Sequence, residues 1–252
     1  MSKTLLLVNT RKSSGPFMEA FLAVLSILIF VVTTITLRAQ PNHDGQIVQP
    51  SHDVSVPAEV REKLSEAADI RAFLALSNHD CVVVYDTVRD KPNTANFMDN
   101  NPRIALFRGD AVLLDIDSGA AGGPIRFHGM ATIPVSHEVS VLAFAFQLGV
   151  DGAGTFFVFV GQKPQGYSVV AALKGSQAQL RFNESSPGKL ELWTADGQVS
   201  HDPYRQCVWC PKYYKRTAYA WKNGQLRPLK TIRTQQGYQP DTFDELPFVM
   251  VK

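Results

Sequence analysis

The sequence predicts a mainly β, antiparallel fold: a sandwich or open barrel built of hairpins, with one helix preceding the sheet. Three observations carry that prediction. From Cys81 onward, short runs rich in Val, Ile, Phe and Tyr alternate with Gly, Asn, Asp and Pro clusters at regular spacing. No helix-length periodicity recurs between those runs, which argues against a parallel α/β sheet. Asn223-Gly224 is the strongest short hairpin signal, because both residues accept positive φ in a type I′ turn.

The chain begins with an apolar segment. Residues 20–37, from Ala20 through Leu37, hold no charge, proline or glycine, and Lys3, Arg11 and Lys12 precede them. At ~1.5 Å per residue such a helix covers most of a ~30 Å hydrocarbon layer. The basic flank keeps its start cytoplasmic and sends the rest across. Two outcomes are compatible with the run. In one it is a retained single-pass anchor holding the protein to the membrane. In the other, residues 1–39 are a signal peptide cleaved near Ala39, which leaves a periplasmic or secreted protein.

Residues 40–56 read as a polar, proline-punctuated linker. Ser55, Pro57, Glu59 and Glu62 supply helix-start chemistry. Val60, Leu64, Ala67, Ala68, Phe73 and Leu74 then recur near helical spacing, so a helix is predicted over 57–77. Strands follow at 81–88, 103–107 and 111–117, the last two flanking Arg108-Gly109-Asp110. That tripeptide spells an adhesion signal but has the composition of a tight turn. Further strands are predicted at 125–133 and 139–148, the latter apolar on both faces and therefore central. Hairpins are predicted from 155–160 with 167–173, and from 179–182 with 189–194. The β-rich domain spans 57–240, and 241–252 is a C-terminal tail.

Charge is unevenly spread. The net charge is +2, but Arg205, Lys212, Lys215, Arg216, Lys222, Arg227, Lys230 and Arg233 fall in 204–239, which holds no acid. A two-residue turn at Asn223-Gly224 pairs Lys222 with Gln225, Trp221 with Leu226 and Ala220 with Arg227. Alternation then sorts Trp221, Leu226, Tyr219, Pro228 and Ile232 onto a core face. The opposite face receives Lys222, Arg227, Arg216, Arg233, Gln225, Thr231 and Tyr214. Of these, Arg216, Lys222, Arg227, Arg233 and Tyr214 are the candidate surface for an anionic partner, an envelope polymer or an acidic protein. The competing expectation is a solvated sheet face. Nucleic acid is not an expected partner of an exported chain.

Cys207-Val208-Trp209-Cys210-Pro211 is the one motif resembling chemistry. Redox pairs open a helix after a βα turn, and a zinc site needs two further ligands. Here a strand is predicted next and His201 is the nearest other ligand, so a structural disulfide between Cys207 and Cys210 is expected. Cys81 opens an apolar strand as a small hydrophobe.

The remaining motifs assign no catalytic residue, metal or cofactor. Gly149 to Thr155 offers a single calcium-type carboxylate, Asp151. His128, His137 and His201 lack partners at catalytic spacing. Asp115 and Asp117 share a strand face, as turn-stabilising acids commonly do. Asn183-Glu184-Ser185 is a glycosylation pattern in a turn.

From Leu142 to Arg233 the chain resembles a group of uncharacterised exported bacterial proteins. The likeness rests on Cys210-Pro211 and on the hairpin Tyr219-Ala220-Trp221-Lys222-Asn223-Gly224, and it implies location and general shape alone. The function expected is that of a non-enzymatic, extracytoplasmic binding module. A thiol–disulfide protein using Cys207 and Cys210 is the alternative, and a hydrolase with an unrecognised site the second.

Overall fold

The computed structural model describes residues 45–64, 68–76, 79–88, 100–117, 125–136, 139–148, 154–196, 213–237 and 246–251. All fall in the compact unit Gln40–Lys252. In chain order they form β1 (Ile47–Val48), α1 (Ala58–Arg61), β2 (Asp69–Ala75), β3 (Asp80–Val88), β4 (Asn100–Arg108) and β5 (Ala111–Asp117). Next come β6 (Ile125–Pro134), β7 (Ser140–Leu148), β8 (Gly154–Lys163) and β9 (Gly166–Ser176). The last are β10 (Gln179–Phe182), β11 (Lys189–Asp196), β12 (Tyr213–Lys222), β13 (Gln225–Gly237) and β14 (Phe248–Met250).

The fold is mainly antiparallel β, in open sheets. Three consecutive four-stranded meanders, β2–β5, β6–β9 and β10–β13, each make one sheet. The chain ends complete two of them. β1 pairs with β6, while β14 pairs with β10 in the one parallel ladder among the described residues. Ile47 to Val48 therefore belongs to the sheet rather than to a linker, and Phe248 to Met250 to the sheet rather than to a tail.

The second sheet is the middle layer. Leu142, Phe144 and Phe146 of β7 pack with Leu74, Val84, Ile104 and Leu106 of the first sheet. Val141, Ala143 and Ala145 pack with Leu180, Leu190, Leu192 and Phe248 of the third. Alternate residues of a strand face opposite ways, so the run that is apolar on both faces lies between two cores. A further cluster, with Val60, Leu64, Ile70, Val83 and Phe107, covers the outer face of the first sheet. Successive meanders stacked face to face are the build of a propeller, and three such layers are stacked here.

The repeat extends to the irregularities. The fourth strand of each meander carries a bulged residue, Leu113 in β5, Val170 in β9 and Leu229 in β13, and β13 has a second irregularity between Arg233 and Gly237. Bulges of this kind bend an edge strand and blunt its pairing with foreign chains. Arg71 in β2 and His128 in β6 are extra residues of the same type in the first strands.

The predicted helix over 57–77 is a correction. Among the described residues of that span only Ala58–Arg61 is helical, the Val60 and Arg61 N–H groups bonding to Pro57 O with no side-chain cap, and Asp69–Ala75 is a strand. Phe73 packs outward and Leu74 inward, so a strand apolar on both faces imitates helical spacing. No helix among the described residues is long and apolar enough to cross a membrane. Residues 20–37, with the anchor or signal assigned to them, lie outside the described residues.

Candidate functional site

The outer face of the third sheet gathers the candidate residues. On β10 and β11, Leu180, Phe182, Leu190 and Leu192 enter the core. Alternation therefore turns Gln179, Arg181, Lys189, Glu191 and Trp193 to the other side. Pairing sets Lys189 opposite Ala220, Glu191 opposite Ala218 and Trp193 opposite Arg216. Beyond them Lys222 faces Gln225, Ala220 faces Arg227 and Ala218 faces Lys230. Cross-strand partners share a face. Arg181, Lys189, Arg216, Lys222, Arg227 and Lys230 thus lie together, and Glu191 is the one acid on that face among the described residues.

An aromatic centre orders two of these cations. Trp193 is 8 % exposed, and its ring holds the Arg181 guanidinium 4.0 Å from its centroid and that of Arg216 at 5.9 Å. The indole Nε1 donates to Glu191 Oε2 at 2.9 Å, and Arg216 stands 3.7 Å from the other carboxylate oxygen. Tyr214 meets Trp193 edge-on at 5.8 Å. Arg181 Nε donates to Gln179 Oε1 at 2.9 Å, and the buried Gln179 amide donates to Leu246 O at 2.9 Å. Burial pushes Arg181 below the usual guanidinium value, with the nearby Glu191 opposing. On β12 the small side chains of Ala218 and Ala220 keep the middle of the face low. Lys189 and Glu191 flank them on one side, Arg227 and Lys230 on the other.

Of the residues expected here, Arg216, Lys222 and Arg227 are on the face as predicted, and Lys222–Gln225, Trp221–Leu226 and Ala220–Arg227 pair as predicted. Two corrections apply. Leu229 bulges between Tyr219–Pro228 and Ala218–Lys230, which reverses the alternation beyond it. Arg233 consequently pairs with Lys215 on the opposite face and binds Asp196, Thr231 pairs with Thr217, and Ile232 joins Arg216. Pro228 inside the strand was the available signal, since proline in a sheet marks an edge or a bulge. Tyr214, only 2 % exposed, braces Trp193 and offers no surface to a partner.

Sequence reasoning missed Arg181, Lys189 and Lys230. The alternations Gln-Leu-Arg-Phe at 179–182 and Lys-Leu-Glu-Leu-Trp at 189–193 place the first two opposite the apolar face. Joining them to Arg216 requires the strand order. Lys230 depends on the bulge.

Cys207, Cys210, His137, His201 and Asp151 lie outside the described residues. Arg108 forks onto the buried Asp80 at 2.8 and 3.0 Å, so the tripeptide beginning there is a turn whose arginine is engaged. Asp115 and Asp117 both bind Arg103, at 2.8 and 3.4 Å. Burial, then Asp80 and Glu59, push the Cys81 thiol up, which disfavours the reactive thiolate. Among the described residues no three His, Cys, Asp or Glu side chains gather as a metal site. No family model, curated protein or solved structure matches the chain.

Proposed function

We propose that this protein is a non-enzymatic binding module that holds a linear anionic polymer of the cell envelope on the outer face of its third sheet. One observation carries the reading: among the described residues six cations and one acid share that face, two of the cations being ordered by Trp193. From β10 to β13 the face spans three inter-strand gaps, about 14 Å. An open, mostly unpaired cationic surface attracts a polyanion over a Debye length and holds it in a salt-dependent way. The low strip at Ala218 and Ala220 has Arg227 and Lys230 along one side and Lys189 beside Glu191 along the other, and it suits an extended chain whose charges lie toward the β13 row. Location outside the cytoplasm is part of the proposal and rests on the apolar run at 20–37.

The test is retention on immobilised polygalacturonate at rising salt. Wild-type protein is expected to bind at low salt and elute as salt rises. The variant Lys222→Gln/Arg227→Gln/Lys230→Gln is expected to bind roughly tenfold more weakly. Equal retention of the two proteins removes this face as the contact surface. Retention on an acidic protein but on no polysaccharide would assign the face to a different partner class.

A further inference from the structure

Arg181 differs from the arginines that carboxylates hold. Arg71 binds Asp69 and Asp86, Arg103 binds Asp115 and Asp117, Arg108 binds Asp80, and Arg233 binds Asp196. Arg181 is half-buried and fixed on both sides, by the Trp193 ring and the Gln179 carbonyl. Among the described residues no carboxylate comes within ion-pair distance of it, and its Nη1 and Nη2 groups carry no hydrogen bond. Its nearest carboxylate, Glu191, is engaged by the Trp193 indole and Arg216, and a partly desolvated cation without a direct ion pair costs free energy that an arriving anion recovers.

We infer that Arg181 is the recognition residue of the proposed polymer site and takes a carboxylate end-on, through Nη1 and Nη2. The inference rests on the polymer-binding reading above. Gln179 occupies Nε, so the side-on edge of the guanidinium is closed and the paired Nη edge is open. Two parallel N–H donors match the two coplanar oxygens of a carboxylate. A sulfate ester spreads its charge over three oxygens and leaves one unmatched. A phosphomonoester brings more charge toward Glu191, the cross-strand neighbour of Arg181. The class of partner is therefore an acidic polysaccharide bearing uronic acid groups.

The experiment compares binding of full-length protein, purified in detergent, to polygalacturonate and to dextran sulfate at matched ionic strength. Three proteins are measured: wild type, Arg181→Lys, and the Lys222→Gln/Arg227→Gln/Lys230→Gln variant. Wild type is expected to prefer the polyuronate. Arg181→Lys keeps the charge but loses the fork, and is expected to lose that preference by roughly tenfold while still binding dextran sulfate. The triple variant is expected to weaken on both polymers and keep the preference. Preference retained in Arg181→Lys, or absent in wild type that still binds, overturns the role of Arg181 and leaves the face standing. Failure of wild type to bind either polymer overturns both. Unchanged far-ultraviolet circular dichroism and an unchanged urea midpoint verify that the lysine variant is folded.

Discussion

Arginine serves two purposes in this chain. Arg71, Arg103 and Arg108 join neighbouring strands by ion pairs, whereas Arg181 lies flat on an indole and is held in one orientation. The Arg108–Asp80 fork also reaches the next sheet, because Tyr167 donates its hydroxyl to the same carboxylate at 2.9 Å. Asp86 gives a pH signature. Burial raises its pKa from the ordinary 3.8, and the Arg71 hydrogen bond only partly opposes this. A carboxyl with a raised native pKa binds its proton more tightly folded than unfolded. Its contribution is therefore present below 3.8 and lost as pH rises through the raised value. Relative to Asp86→Asn, wild-type protein should lose stability between acid and neutral pH. Urea unfolding of both across that range measures it, and a wild type that gains on the variant would reverse the sign.

Glycine demands separate two kinds of turn at the scale of the elements. Gly224, φ +72°, closes the β12–β13 hairpin with open space where a Cβ would stand. Gly188, φ +76°, enters β11, and a Cβ there would lie 2.7 Å from the Val135 carbonyl oxygen. Its own N–H donates to Pro134 O at 2.9 Å, tying the third sheet to the second. Gly224→Ala should cost about 1–2 kcal/mol of strain. Gly188→Ala should cost more, because backbone has to move as well. Urea midpoints rank them, and equal losses would contradict the close approach. Most elements are legible in the amino-acid order itself: the ten strands from β3 through β12 fall on the predicted runs, and the β12–β13 register follows from Asn223-Gly224 as far as Tyr219–Pro228. What misled was chemistry that two elements share. Ile70, Ala72 and Leu74 alternate, yet Phe73 and Leu74 also continue the spacing of Val60, Leu64, Ala67 and Ala68, and only pairing with β3 decides between them. The bulges at Leu113 and Val170 are equally silent, since one added residue changes a register without changing composition, whereas the one at Leu229 leaves a trace in Pro228.

For the molecule as a whole, the sequence showed hairpins but not how they stack. Strand order joins Arg181 and Lys189 to Arg216, and no local pattern encodes strand order. The terminal strands escaped notice for a simpler reason: Ile47–Val48 and Phe248–Met250 are too short to show a period. Phe248 nevertheless reaches the core between the second and third sheets, edge-on to Phe157 at 5.6 Å. Phe248→Ala should cost about 3–5 kcal/mol, read as a lowered urea midpoint, and a change below ~1 kcal/mol would mean that the last strand contributes little. The three-layer stack leaves the outer face of the third sheet as a flat cationic surface, and lysine-selective labelling with and without polygalacturonate locates the contact on it. Lys189, Lys222 and Lys230 should become protected while Lys163 and Lys174 stay reactive; uniform protection, or protection confined to Lys163 and Lys174, would contradict the assignment.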